Sequence, residues 1–239
     1  MPLFRLTREL RFPNPSLADS SGLLAVGGDL SPERLLLAYS MGIFPWYEEG
    51  LPILWHSPDP RFVLELDDLH VNRSLRKSLN RFTVKFDTAF EEVVDLCART
   101  KRSGQAGTWI TRDQRDAFVE LHYHGYAHSV EAWQGGHLAG GLYGLSLGSA
   151  FFGESMFHHV SNASKVALVR LVERLEAWSF SFIDCQSRTE HLADLGAKDI
   201  PREEFLSALQ KALTSRTRQG NWGTGPSSGN GNMQGRIKP

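Results

Sequence analysis

The chain has 239 residues, a formal net charge of −1, and 41% hydrophobic and 22% charged residues, which allows one large globular domain with a smaller companion. No apolar run approaches the roughly 20 residues that span a bilayer, and residues 1–8 lack the basic, apolar, small order of a secretory leader. Two cysteines, Cys97 on an apolar helix face and Cys185 in an apolar strand, fit buried thiols in a reducing compartment, so a cytoplasmic protein without a membrane anchor is expected.

The first 60 residues are rich in turn formers, such as Phe12-Pro13-Asn14-Pro15 and Gly27-Gly28-Asp29, and read as a small irregular N-terminal domain over 1–61. One helix interrupts them, with Ser31 as N-cap, Pro32 in the first turn and Gly42 just past its end. Strands are expected over 61–66 and 82–86, with a short basic helix over 72–80 between them. Asp87 reads as the cap of a helix whose Phe90, Val93, Val94 and Cys97 follow an i, i+3, i+4, i+7 spacing. Thr111 and Gln114 form a capping-box pattern ahead of a helix over 112–124, which Gly125 ends. Strands over 127–134 and 137–145 flank a Gly135-Gly136 turn, and another begins at 150. A helix over 163–178, a strand over 180–185 and a helix over 203–213 complete a domain spanning 62–215. Residues 216–239 are rich in Gly, Ser and Asn and are expected to form a disordered tail. This order of elements suggests an acyltransferase-like mixed α/β sheet.

Two segments carry the candidate chemistry. Phe152-Gly153-Glu154-Ser155-Met156-Phe157 and Phe182-Ile183-Asp184-Cys185-Gln186 each read as an apolar strand with polar residues at its end. A buried carboxylate is costly unless it is hydrogen-bonded. Strand alternation directs Asp184 and Gln186 to one side and Cys185 to the other. Glu154 on a neighbouring strand then adds a second carboxylate, a combination suited to polarising or deprotonating an amine. Each carboxylate also has a purely structural reading, as a cap or tie for backbone amides.

Charge is unevenly distributed. Residues 1–69 hold five Lys/Arg against ten Asp/Glu, whereas 70–86 hold Arg73, Arg76, Lys77, Arg81 and Lys85 with no acid. Such a stripe is either a solvated helix face or a focused field for phosphate. His122, His124 and His128 straddle a helix end and do not converge as metal ligands should, so no metal site is expected. Cys185 as a nucleophile would need an activating base and an exposed thiolate, and its direction opposite Asp184 argues against it.

Several strings in combination resemble the leucyl/phenylalanyl-tRNA–protein transferases of bacteria. They include Gly22-Leu23-Leu24-Ala25-Val26-Gly27-Gly28-Asp29-Leu30, Gly42-Ile43-Phe44-Pro45-Trp46 and Trp55-His56-Ser57-Pro58-Asp59-Pro60-Arg61. Gly107-Thr108-Trp109-Ile110, Gly140-Gly141-Leu142-Tyr143-Gly144, Gly153-Glu154-Ser155-Met156-Phe157, Ala163-Ser164-Lys165 and Ile183-Asp184-Cys185-Gln186 continue the series. The resemblance covers residues 3 to 213 and leaves the tail outside; His56 stands where the pattern has a second tryptophan.

That resemblance implies an α+β fold with an acetyltransferase-like (GNAT-type) mixed sheet flanked by helices. It also implies transfer of Leu or Phe, and less well Met, from Leu-tRNA or Phe-tRNA to proteins with an N-terminal Arg or Lys, marking them for degradation by the N-end rule. No cofactor or metal is implied, and a monomer is expected. The resemblance gives catalytic roles to Asp184 and Gln186, with Glu154 as proton acceptor or as holder of the acceptor's positive side chain; the choice of base stays open. Tyr143, Phe152, Ser155, Met156 and Phe157, with Leu142 and Phe151, are candidates to line an apolar pocket, although each also reads as core. Trp46 and Trp109 are candidates to stack on the terminal adenine. Arg73, Arg76, Lys77 and Arg81 would hold the acceptor stem by its phosphates. Two other readings are an acyl-CoA-dependent N-acetyltransferase of similar fold and a non-catalytic tRNA-binding protein. The first is disfavoured because His158-His159-Val160-Ser161-Asn162 lacks the Gly-rich basic turn that cradles a pyrophosphate.

Overall fold

The computed structural model describes residues 3–100 and 110–224. The N-terminal part is more regular than its turn-rich sequence implies. Strands β1 (Phe4–Leu6), β2 (Leu23–Gly27), β3 (Phe44–Pro45) and β4 (Leu54–His56) form a four-stranded sheet in the order β1-β2-β4-β3, which corrects the expectation of an irregular domain. Helix α1 (Pro32–Ser40) interrupts them as expected, and Gly42 beyond it adopts φ +73°. A Cβ at Gly42 would meet the Leu206 and Phe205 side chains at 2.6 and 2.8 Å, so glycine both ends the helix and admits its neighbours.

The remainder builds a seven-stranded mixed sheet. Its strands are β5 (Arg61–Glu65), β6 (Thr83–Phe86), β7 (Ala127–Gln134), β8 (His137–Leu147), β9 (Ala150–His158), β10 (Phe182–Gln186) and β11 (Lys198–Ile200). Their spatial order is β11-β5-β10-β9-β8-β7-β6, and only β9 and β10 pair in parallel. Parallel neighbours need a crossover, which α5 (Ala163–Ala177) supplies. One face of the sheet packs against α5, with Leu75 and Leu79 from α2 (Arg73–Ser78) and the turn after it. The other face packs against α3 (Phe90–Arg99), α4 (Arg112–Tyr123), α1, the N-terminal sheet and α7 (Arg202–Ala212), in one shared core. A short helix, α6 (Glu190–Ala193), follows β10.

The capping box forms as the sequence implies: Thr111 Oγ1 accepts from the Gln114 amide at 3.2 Å, and the Gln114 side chain accepts from the Thr111 amide at 3.0 Å. Asp87, by contrast, does not cap α3. It adopts φ +54°, and its carboxylate accepts from the backbone amides of Ser129 (2.8 Å) and Trp222 (2.7 Å) and pairs with His128 Nδ1 (2.9 Å). The expected tail is likewise corrected at its start. Trp222 is buried and stacks on His128 at 3.7 Å between centroids, so the chain is packed onto the sheet through Gly223. Residues 225–239 lie outside the described residues.

Candidate active site

Both polar segments singled out in the sequence sit where the pairing of strands breaks. The parallel ladder of β9 and β10 runs only as far as Phe152 and Asp184. On β9 the pairing with β8 passes from Gly153 opposite Gly144 to Ser155 opposite Tyr143, which leaves Glu154 as the extra residue of a bulge. On β10 the register with β5 shifts between Asp184 and Gln186, and Gln186 takes a left-handed φ of +63°. Bulges re-aim side chains and bend strands. Here they direct Glu154 and Gln186 toward each other, and Gln186 Nε2 donates to Glu154 Oε1 at 2.7 Å. The bulge on β9 also requires Gly144, because a Cβ there would lie 2.1 Å from the Phe152 carbonyl oxygen.

The bulge reverses part of the expectation for β10. Regular alternation turns Ile183 and Cys185 toward a cavity of about 390 Å³, while Asp184 faces the opposite side. Asp184 and Gln186 therefore do not share a wall. Asp184 is fully buried and forms a bidentate pair with Arg61, with Nε to Oδ1 at 2.8 Å and Nη2 to Oδ2 at 2.6 Å. Arg61 is itself fixed by the Gly42 carbonyl at 3.1 Å and lies between the rings of Phe44 and Phe205 at 4.8 and 4.5 Å. Asp184 Oδ1 also accepts from the Gln186 amide at 2.9 Å, so the ion pair pins the left-handed turn that presents Gln186. Sequence reasoning missed Arg61, whose only signal is a cation ahead of the apolar run Phe62-Val63-Leu64.

Glu154 faces the cavity. Its Oε1 accepts from Tyr39 Oη at 2.6 Å as well as from Gln186, and neither donor engages Oε2. Burial, with the nearby Asp184 carboxylate as a smaller contribution, pushes the Glu154 pKa up to about 7 against the lowering effect of the two hydrogen bonds. Burial and the adjoining Glu154 raise the Tyr39 phenol well above its usual value, so it remains a donor. The group facing the cavity can thus exchange a proton near neutral pH, whereas Asp184 is sequestered behind it.

The cavity is otherwise mostly apolar. Leu142, Phe151, Met156, Leu168, Leu171 and Ile183 form much of its wall, with Tyr143, Ser155 and Trp46 also lining it. Trp46 is 42% exposed at its mouth, and its indole packs edge-on to His56 at 5.7 Å. Phe152 and Phe157 do not line it, contrary to expectation. Phe152 packs against Tyr39 at 5.2 Å on the other face, and Phe157 lies 5.4 Å from the His159 ring. Cys185 does line it, on the side opposite Asp184, but burial pushes its thiol well above the usual range, which disfavours a thiolate. Arg73, Arg76, Lys77 and Arg81 are exposed on α2 and the turn after it, away from the cavity wall. Trp109 lies outside the described residues. Among the described residues no His, Cys, Asp or Glu cluster could hold a metal ion, and no helix is long and apolar enough to cross a membrane.

Two family models match the chain: leucyl/phenylalanyl-tRNA protein transferase over residues 63–210, and the N-terminal domain of the same family over 28–59. A leucyl/phenylalanyl-tRNA–protein transferase of Myxococcus xanthus (strain DK1622) is 58% identical over 229 residues, covering 94% of this chain and 98% of the relative. The protein of the same name from Anaeromyxobacter sp. (strain Fw109-5) is 60% identical over 224 residues, covering 93% and 95%. Among solved structures, L-PGS from Bacillus licheniformis aligns at a TM-score of 0.37 and 15% identity, over 72% of this chain and 58% of its own. That likeness is too distant to carry an argument.

Proposed function

The chain belongs to the leucyl/phenylalanyl-tRNA protein transferase family, and on that premise we propose that it moves Leu or Phe, and less well Met, from aminoacyl-tRNA to the N-terminal Arg or Lys of acceptor proteins. The enzyme acts as a cytoplasmic monomer on an acetyltransferase-like sheet, and its products enter N-end-rule degradation. The observation that carries the reading is Glu154: a carboxyl with a pKa of about 7, aimed into an apolar cavity beside Gln186.

The acceptor's amine nitrogen attacks the ester carbonyl carbon, the bond from that carbon to the terminal ribose oxygen breaks, and an amide forms. An ester gives way to an amide, so the step runs downhill without ATP. Glu154 takes the proton that the amine sheds and returns it to the departing ribose oxygen. Tyr39 and Gln186 hold Oε1, so that Oε2 meets the amine. Asp184 acts by pinning Gln186 through its backbone amide, in concert with Arg61.

The cavity wall of Leu142, Phe151, Met156 and Ile183 suits an unbranched or γ-branched apolar side chain. Because one methylene in such a pocket is worth only about 1–3 kcal/mol, selection among Leu, Phe and Met should be graded rather than absolute. Trp46 offers a face for the terminal adenine. Arg73, Arg76, Lys77 and Arg81 form no ion pair with the described residues, which leaves them free to meet acceptor-stem phosphates.

The test is transfer of labelled leucine from Leu-tRNA to a peptide beginning with Arg, beside one beginning with Ala. Transfer to the Arg peptide alone is expected. Binding of tRNA with no transfer to either would overturn the reading in favour of a non-catalytic RNA-binding protein.

A further inference from the structure

Of the Ala163-Ser164-Lys165 string, packing explains only the first two residues. Ala163 and Ser164 are buried against β8, where a Cβ on Gly140 would approach Ala163 Cβ at 2.6 Å and the Ser164 amide at 3.0 Å. Lys165 takes no part in that packing, is half-buried, and forms no ion pair among the described residues. Several other surface cations are neutralised. Arg115 pairs with Glu91 and Asp95, Lys198 with Glu65 and Asp68, and Arg188 with Glu190 and Asp199.

Lys165 adjoins the unpaired cations of α2. Helix α2, which carries Arg73, Arg76 and Lys77, packs on α5, and Asn162 Nδ2 at the start of α5 donates to Ser78 Oγ at 3.1 Å. Lys165 lies in the first turn of α5, and His158 is exposed at the end of β9 just before it. His191 lies near Lys165 and His158, and it lines the cavity. Its Nε2 is buried without a hydrogen-bond partner among the described residues. The positive path therefore continues from α2 past the start of α5 to the cavity mouth.

We infer that Lys165 and His158 bind the phosphates of the single-stranded 3′ end of the donor RNA, and that His191 receives the last nucleotide where it enters the cavity. This inference rests on the transferase reading above. Lys165 supplies a fixed charge, while His158 and His191 supply ring nitrogens for hydrogen bonds to phosphate or ribose oxygens. The residues of α2 then hold the double-stranded stem, and Lys165 with His158 the unpaired nucleotides between stem and cavity.

Three donors separate these roles: full Leu-tRNA, a leucylated CCA trinucleotide, and leucyl-adenosine, which has no phosphate. Transfer to an Arg-initiated peptide is measured with the parent, with Lys165→Gln plus His158→Gln, and with Arg76→Gln plus Lys77→Gln. The Lys165/His158 variant should raise KM about tenfold for both tRNA and trinucleotide and leave leucyl-adenosine unchanged. Its salt slope for the trinucleotide should fall by about 0.7 for each phosphate that the variant no longer neutralises. The Arg76/Lys77 variant should weaken only full tRNA. An unaltered KM and salt slope for the trinucleotide in the Lys165/His158 variant, or an equal loss with leucyl-adenosine, would overturn the inference. Failure of the parent to use any of the three donors would instead overturn the transferase reading.

Discussion

Glu154 on β9 and Glu131 on β7 are both buried carboxyl groups of one sheet, and burial pushes each pKa up to about 7. Their surroundings differ. Glu131 is enclosed, with Oε1 accepting from Ser129 Oγ and Oε2 accepting from Thr88 Oγ1 at 2.8 Å, while the Thr88 amide lies 3.3 and 3.4 Å from the two oxygens. Glu154 has hydrogen bonds to one oxygen only among the described residues and borders a cavity. A raised pKa therefore reports burial, and access to open space distinguishes a proton acceptor from a structural tie. The same contrast separates Asp184 from Glu154: Asp184 is held at both oxygens and fully buried, whereas Glu154 borders the cavity.

The largest expected effect comes from breaking the support of the cavity side. Arg61→Met leaves Asp184 buried and unpaired, which should cost about 3–5 kcal/mol in denaturant unfolding. Transfer should also fall in the molecules that remain folded, because the Gln186 turn loses its anchor. Retained transfer with full stability would break the argument that Asp184 acts through Gln186. On the enclosed side, Trp222→Ala removes an indole packed against His128, Phe151, Trp178 and Phe180, and should cost about 3–5 kcal/mol. Transfer per folded molecule should change far less than in Arg61→Met. An equal loss of transfer would show that the two sides are coupled.

The smallest effect is a change of pH dependence. The Glu131 pKa of about 7 exceeds the ordinary 4.5, so the folded protein holds a proton that the unfolded chain releases. Stability from this group is present below pH 4.5 and is lost as pH rises to about 7, after which it is flat. The shift corresponds to about 3 kcal/mol at most. Glu131→Gln should flatten that decline in thermal or denaturant unfolding. An unchanged pH profile would mean that Glu131 ionises with little cost despite its enclosure.

What the sequence reveals, and what it hides, follows from the range of the interactions involved. The stripe of Phe90, Val93, Val94 and Cys97 and the capping box of Thr111 and Gln114 are local patterns, and both form in place. The strands of the N-terminal sheet have two to five residues each and depend on distant partners, so little in their own composition announces them. Glu154 and Gln186 are visible as polar residues in apolar strands. Their meeting depends on two bulges, which a strict alternation of two cannot contain. Arg61 reaches Asp184 across 123 positions, and Trp222 packs on His128 from a segment whose composition reads as disordered.

The claim that access rather than pKa selects the reacting carboxylate is tested most directly by single-turnover transfer of leucine from Leu-tRNA to an Arg-initiated peptide. The parent, Glu154→Gln and Glu131→Gln are compared, each confirmed as folded. Glu154→Gln should lose on the order of 10²–10⁴ in rate, while Glu131→Gln keeps the parent rate. Equal losses in the two variants, or a parent rate in Glu154→Gln, would contradict the account.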